Sequence, residues 1–289
     1  ELQNNIKIIL QESPLESSKK LLSDLAFKME DFEISYDLLK ETNPTPNQLL
    51  DFAYQNKKIE NYDLAIKVYN DIIHDNYSSN TTISAILNLG DALEKQSMQS
   101  KVNLPISKYF YSNQILNSPY YYVNNDNLEI LGKAVTLYDS LYTISKGSDA
   151  GFRLAEIKFS VLNDLDDALK IYSECIKYSK DNNLKFNSSL KTIDLVIAKG
   201  NLVESERLIE KYIQQYKSSD QSNLLKIKKI QIDFFNGKSS VLDSISTILT
   251  DIKRDNQIYN DLLDLQSLIL LFKDNNELLK EFSEIQLLI

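Results

Sequence analysis

The sequence predicts an all-α fold, and three observations lead to that class. Apolar residues recur with a period of about 3.6 along most of the chain, which is the spacing of one helix face. The 289 residues include only 6 glycines and 5 prolines, too few for the corners of a β-sandwich or barrel. Small residues also return at similar offsets in successive helical segments, so we expect a series of similar helix pairs.

The periodic segments are separated by short polar steps, and several boundaries carry end signals. Ser13-Pro14-Leu15-Glu16 and Thr45-Pro46-Asn47-Gln48 each offer a hydroxyl N-cap, a proline at the first helical position and a residue that closes a capping box. Gly200 and Gly237 follow helical segments and mark their ends. The predicted helices are 2–11, 15–29, 32–41, 46–58, 61–75, 80–96, 127–146, 149–163, 165–180, 184–199, 202–217, 221–236, 240–254, 257–273 and 276–289.

The small residues are expected where two helices cross closely. We call the first helix of each pair helix A and the second helix B. Ala134 and Ala168 lie about 34 residues apart, which is the length of a helix-turn-helix repeat. The small positions are Ala53, Gly90 and Ala155 on A helices and Ala65, Ala134, Ala168 and Ser205 on B helices.

This pattern of small and large residues resembles the tetratricopeptide repeat (TPR). The best matches are Leu50–Ile73 and Phe152–Ile176, with partial matches at Leu87–Gly90 and in "IAKGNLVESERLI". The resemblance implies a right-handed α-solenoid over residues 1–289, with about seven helix pairs after a single B helix. Because the chain begins at Glu1 inside helical sequence, we expect a fragment of a longer protein.

Within the family, "FRLAEIKFSVLNDLDDALKIY" resembles repeats of bacterial cell-envelope proteins, such as outer-membrane assembly lipoproteins. That resemblance favours the bacterial periplasm, or an association with the outer membrane, over the cytoplasm. Proteins of this family bind peptides on a concave surface lined by A helices. The positions of this chain that align with the groove positions of the family are Leu50, Tyr54, Lys57, Leu87, Asp91, Glu94, Phe152, Glu156 and Phe159, and these are the expected groove residues.

An insertion at 97–126 interrupts the repeats between an A helix and its B helix. Long irregular loops often carry function, and tyrosine suits a binding surface because it joins an apolar ring to a polar tip. Two interpretations stay open: the insertion binds a partner, or its rings pack against the helices. Its aromatic residues are Tyr109, Phe110, Tyr111, Tyr120, Tyr121 and Tyr122.

Charge and composition argue against several classes of function. A net charge of -9 disfavours binding to nucleic acid, and the lack of a long apolar run disfavours direct membrane insertion. His74 is the only histidine and is expected at the surface, while Cys175 is expected in the core. Acidic clusters such as Asp164-Asp166-Asp167 fall at helix starts, where they complement the helix dipole. We expect no catalytic residues, no cofactor and no metal.

The expected function is a non-enzymatic scaffold for protein–protein interaction. It would bind partner proteins or peptide segments on the concave face, on the tyrosine-rich insertion, or on both. One alternative is structural self-assembly into a homo-oligomer. A second alternative is a glycan-active enzyme on a helical toroid. It is less favoured because the arginines that such a site could use, Arg153, Arg207 and Arg254, are scattered along the chain.

Overall fold

The structure is a computed structural model that describes residue 8 and residues 16–75, 78–99, 113–238, 240–272 and 274–288. The all-α prediction is confirmed, since these residues form a succession of helices. In chain order the helices are α1 (Glu16–Lys28), α2 (Phe32–Lys40), α3 (Pro46–Lys58), α4 (Tyr62–His74), α5 (Ser79–Met98), α6 (Asn125–Ile144), α7 (Asp149–Ser160), α8 (Leu165–Tyr178), α9 (Asn182–Ala198), α10 (Leu202–Gln215), α11 (Ser219–Phe235), α12 (Val241–Asp251), α13 (Gln257–Leu271) and α14 (Asn276–Leu287).

Each helix end lies within one turn of a predicted boundary. The predicted helix 2–11 and the capping sequence that begins at Ser13 fall outside the described residues, apart from Ile8 and Glu16. The capping box at α3 is confirmed: the Thr45 side chain accepts from the Gln48 amide, and the Gln48 side chain accepts from the Thr45 amide at 2.8 Å. Gly200 and Gly237 both adopt positive φ, as the ends of α9 and α11 require.

The chain divides into two compact units, and α6 contributes to both. The first unit comprises Glu1–Ser100 and Asn125–Tyr138, and the second comprises Lys101–Asn124 and Asp139–Ile289. That residues 1–289 form one uninterrupted solenoid stays a prediction.

In the first unit, helices that follow each other in sequence pack together. Helix α1 pairs with α2, α3 pairs with α4, and α5 packs against both α3 and α4. The close crossings are built as the small residues predict. Ala53, Ala65 and Ala134 are fully buried, and Gly90 lies against the ring of Tyr138.

In the second unit, each of α7 to α11 packs against the next, and the A helices α7, α9 and α11 also touch in succession. Ala155, Ala168 and Ser205 are fully buried at these crossings. The last helix departs from the regular order, because α14 packs against α11. The ring of Phe282 there lies 6.3 Å from that of Phe234.

Candidate functional site

The A helices of the first unit are joined by a partly buried ion pair at the positions expected to face a groove. Lys57 Nζ on α3 lies 2.7 Å from Asp91 Oδ2 on α5 and donates to Asn88 Oδ1 at 2.9 Å. Lys95 lies 3.2 Å from the same Asp91 oxygen. Burial raises the pKa of Asp91, but the hydrogen bond and charge of Lys57, together with Lys95, outweigh burial and hold that pKa below its usual value.

The other expected groove residues of this unit differ in exposure. Tyr54 is 50% exposed, with its ring 5.4 Å from the Lys57 ammonium. Leu50 and Leu87 are half-buried. Glu94 is buried and accepts a hydrogen bond from the Tyr138 hydroxyl at 3.0 Å, so it holds α6 against α5 and does not face an open groove. Tyr54 is therefore the groove residue of this unit that offers the most open surface.

The A helices of the second unit are also linked by charges. Glu156 on α7 lies 3.1 Å from Lys191 on α9 and 2.5 Å from Arg153 on its own helix. On the next step, Asp194 of α9 pairs with Lys228 of α11. Each A helix of this unit is thus joined to the next by an ion pair between an acidic and a basic side chain. The apolar side chains of these helices remain available to pack against other parts of the chain.

The remaining expected residues of the second unit lie among apolar contacts. Phe152 is half-buried, and its ring meets that of Tyr172 edge-on at 5.7 Å. Phe159 is buried, and Tyr120 of the insertion packs against it, with ring centroids 5.7 Å apart. The expectation that Phe159 faces an open groove is therefore wrong, because part of the insertion lies on that surface.

The occupant is part of the insertion, residues 113–123, which we call the covering segment. The groove register that includes Leu50 and Leu87 continues on α9 and α11 as Leu190 and Ile227. These two side chains, with Gln231, line a cavity of about 130 Å³ whose other walls include Gln114 and Ile115. We call Phe159, Leu190, Ile227 and Gln231 the second A face. The covering segment lies on it.

The start of the covering segment is a turn fixed to α13. Asn113 is buried, its side-chain amide donates to the Asp261 carbonyl at 2.7 Å, and its own carbonyl accepts from the Leu116 amide at 3.0 Å. The Gln114 amide donates to Asp261 Oδ1 at 3.1 Å. This turn delivers Ile115 and Leu116 into the hydrophobic core of the second unit, where both are buried.

The end of the covering segment is fixed to α7. The Tyr121 amide donates to the Ser160 carbonyl at 3.0 Å, and burial raises the pKa of Tyr120. Tyr122 remains 49% exposed. The aromatic residues Tyr109, Phe110 and Tyr111 lie outside the described residues. For residues 113–123, packing against helices is therefore the observed role, and Tyr122 is the one of its three tyrosines that is half-exposed.

Each unit also has a shallow groove on its B-helix side, and the two grooves are built from the same register. The first has a volume of about 580 Å³, and Leu89 and Leu93 of α5 lie in it. The second has a volume of about 540 Å³, and Val196 of α9 lies in it at the position equivalent to Leu93. Equivalent hydrogen bonds close one end, from Gln96 to Asp63 at 2.7 Å and from Lys199 to Asp166 at 2.6 Å. These grooves were not predicted from the sequence.

Several residues outside these surfaces take the expected places. His74 is almost fully exposed, and Cys175 is buried in the core, where burial raises its thiol pKa to about 12. Tyr69 and Tyr172 occupy equivalent positions on α4 and α8, and burial raises the pKa of both. Among the described residues, no group of three or more His, Cys, Asp or Glu side chains is arranged to hold a metal ion. No described helix has the length and apolar character needed to span a bilayer.

Comparison with solved structures finds chains of similar fold. The crystal structure of a tetratricopeptide repeat protein from Parabacteroides merdae ATCC 43184 matches 92% of this chain and 90% of its own, at 13% identity and a TM-score of 0.47. That is the repeat family that the sequence resembles. No protein-family model matches the sequence, and no curated protein matches it significantly.

Proposed function

We propose that this protein is a non-enzymatic scaffold that binds segments of other proteins on the faces of its A helices. The observation that carries the proposal is the covering segment. A stretch of polypeptide is held on the second A face by backbone hydrogen bonds from Gln114 to α13 and from Tyr121 to α7, and by burial of Ile115 and Leu116. A face that already holds one segment of chain in this way has the contacts that a partner segment needs.

The first unit supplies the surface for an outside partner. Tyr54 is half-exposed, and its ring stands beside Lys57, which is fixed by Asp91 and Asn88. A rigid aromatic ring over an ordered polar network loses little conformational entropy when a partner binds. Tyr54 is therefore the residue of the first unit that we expect at the centre of the contact.

The test uses three tyrosines of nearly equal exposure on different surfaces. A photo-crosslinking phenylalanine derivative replaces Tyr54 on the A helix α3 of the first unit, Tyr122 in the covering segment or Tyr178 at the end of α8, which are 50%, 49% and 51% exposed. Each variant is irradiated in an extract of the source organism, and the adducts are identified by mass spectrometry. Equal exposure makes Tyr178 a matched control for random capture.

The proposal expects a discrete adduct with another protein at position 54 that is missing at position 178. The same adducts at 54 and 178, or none at 54, would overturn it. Adducts at 122 alone would assign partner binding to the insertion instead. An adduct at 54 with a second copy of the chain would favour self-assembly.

The envelope location belongs to the proposal and is supported by the resemblance of the stretch from Phe152 to Tyr172 to repeats of bacterial cell-envelope proteins. Fractionation of the source cells with an antibody against this chain tests it. Recovery with periplasmic and outer-membrane markers is expected, whereas recovery with cytoplasmic markers alone would contradict it.

A further inference from the structure

The covering segment contacts the second A face as a bound peptide would. Its contacts are concentrated at two ends, Asn113–Leu116 on α13 and the core, and Tyr120–Tyr121 on α7. The turn at its start is closed within the segment itself, because the Asn113 side chain accepts from the Ile115 amide at 3.0 Å. A separate peptide with the same sequence can form this turn without help from the rest of the chain.

We propose that the second A face, together with Asp261 of α13, is a peptide-binding site whose ligand is a turn of the type Asn-x-apolar-apolar, and that residues 113–116 occupy it in cis. A partner would present an asparagine that starts a turn, followed after one residue by two apolar side chains. It would take the positions of Asn113, Ile115 and Leu116. This inference rests on the proposed function for the class of partner, a protein segment.

The contacts of residues 113–116 indicate the chemistry by which a ligand would be recognised. Asp261 offers both its main-chain carbonyl and a carboxylate oxygen to the first two residues of the turn. Leu190 and Ile227 supply apolar walls beside Ile115, and Gln231 supplies a polar group at the edge of the same cavity. The site therefore selects an asparagine by hydrogen bonding and the two following side chains by apolar burial.

A covalently attached occupant competes strongly with any partner. A short tether keeps the local concentration of an attached ligand at about the millimolar level, so a free peptide binds the intact chain at least about tenfold more weakly than a chain whose own segment is displaced. Binding is therefore expected to become visible only after the segment is released.

The experiment compares the wild-type chain with a released variant, Ile115→Ser with Leu116→Ser, using the full 289 residues. The probe is a fluorescent synthetic peptide of residues 113–123, followed by fluorescence anisotropy. Tyr122→Ser is the matched control, because it changes an exposed residue of the same segment. The released variant is expected to bind the probe at least about tenfold more tightly than the wild type and the Tyr122→Ser control.

Two further measurements locate the binding. A peptide carrying the same two serine substitutions should not bind the released variant. Leu190→Glu, introduced into the released variant, should abolish binding, since Leu190 walls the cavity beside Ile115. Persistent binding after either change would place the contact elsewhere and overturn the proposal.

Folding of the released variant is followed by circular dichroism. If it folds and does not bind the probe, or if the wild type binds as tightly, the proposal is wrong. If the released variant unfolds, recovery of its helix content on addition of the peptide supports the proposal. If the helix content does not recover, the segment is part of the core and the proposal is overturned. This test involves no outside protein and no residue of the first unit, so its result is independent of crosslinking at Tyr54.

Discussion

Replacing Gly90 with alanine should destabilise the protein, although alanine is the better helix former. Gly90 lies within α5, where the extra methyl group would come within 2.6 Å of Tyr138 Cε1 and 3.0 Å of Cζ. Both distances are too short for carbon atoms in contact. The ring would have to move, but Tyr138 is fully buried and its hydroxyl is held by Glu94 at 3.0 Å.

The size of the effect follows from two opposing contributions. Alanine inside a helix is favoured over glycine by about 1 kcal/mol. Overpacking a fixed site costs about 1–3 kcal/mol, and weakening a hydrogen bond to a buried carboxylate costs about another 1.5–3 kcal/mol if the ring shift breaks it. With partial relaxation of the ring, we expect a net loss of about 1–2 kcal/mol in the free energy of unfolding.

Urea unfolding followed by circular dichroism measures this difference. The matched control is Gly132→Ala in α6, where the added methyl group would meet nothing within 4 Å. That variant should gain up to about 1 kcal/mol, since only the helix preference acts. If Gly90→Ala is as stable as the wild type while the control behaves as expected, the close approach of α5 to the Tyr138 ring does not constrain the fold.

Three other substitutions test separate contacts. Lys57→Met should cost about 1–3 kcal/mol, because Asp91 stays partly buried with Lys95 as its remaining charged partner. Since Asp91 has a lowered pKa, its stabilising effect is present above the usual carboxyl pKa and is lost as the pH falls through the lowered one. The difference in the free energy of unfolding between the wild type and Lys57→Met should therefore shrink as the pH falls through the lowered pKa, and a difference that stays constant with pH would contradict this. Ala168→Leu should overpack the crossing of α8 and cost about 1–3 kcal/mol in urea, whereas a neutral result would mean that the crossing can widen. Thr45→Ala removes the cap of α3 and should lower stability by about 1 kcal/mol, while Thr45→Ser should restore it.

The succession of helices was predictable because every signal for it is local. Apolar period, small residues at crossings and the cap at Thr45 all act within a few residues, and each appears in the structure where it was expected. The backbone conformation that follows two of these helices was not predictable. Glu30 and Glu60 adopt positive φ after α1 and α3, a conformation in which glutamate is uncommon, so sequence alone gives no reason to place it there.

The candidate site was predictable only in part, because its contacts join residues far apart in sequence. The predicted groove residues stop at α7, although the same register continued along α9 and α11 reaches Leu190 and Ile227, and Asn113 is a typical turn former. Nothing in the sequence around Asp261 indicates that its main-chain carbonyl accepts a hydrogen bond from the Asn113 side chain, since that contact depends on where the insertion lies in space. The insertion was recognised, and Phe159 was named as a groove residue, but that the insertion lies on this surface was not predicted.

One position of the groove register differs between the two units, and under the proposed function this difference determines which ligands each unit would favour. In the first unit that position is Lys57 and Glu94, and in the second it is Phe159, Ile197 and Phe234, all of them buried. A buried charge needs a fixed partner of matching geometry, which the first unit supplies with Asp91 and the Tyr138 hydroxyl. A buried apolar side chain accepts any apolar surface of suitable shape. Under the proposed function, the A helices of the first unit therefore favour ligands that interact with Tyr54 and with charges held in fixed positions. The second A face favours ligands that bury apolar side chains, as the covering segment does.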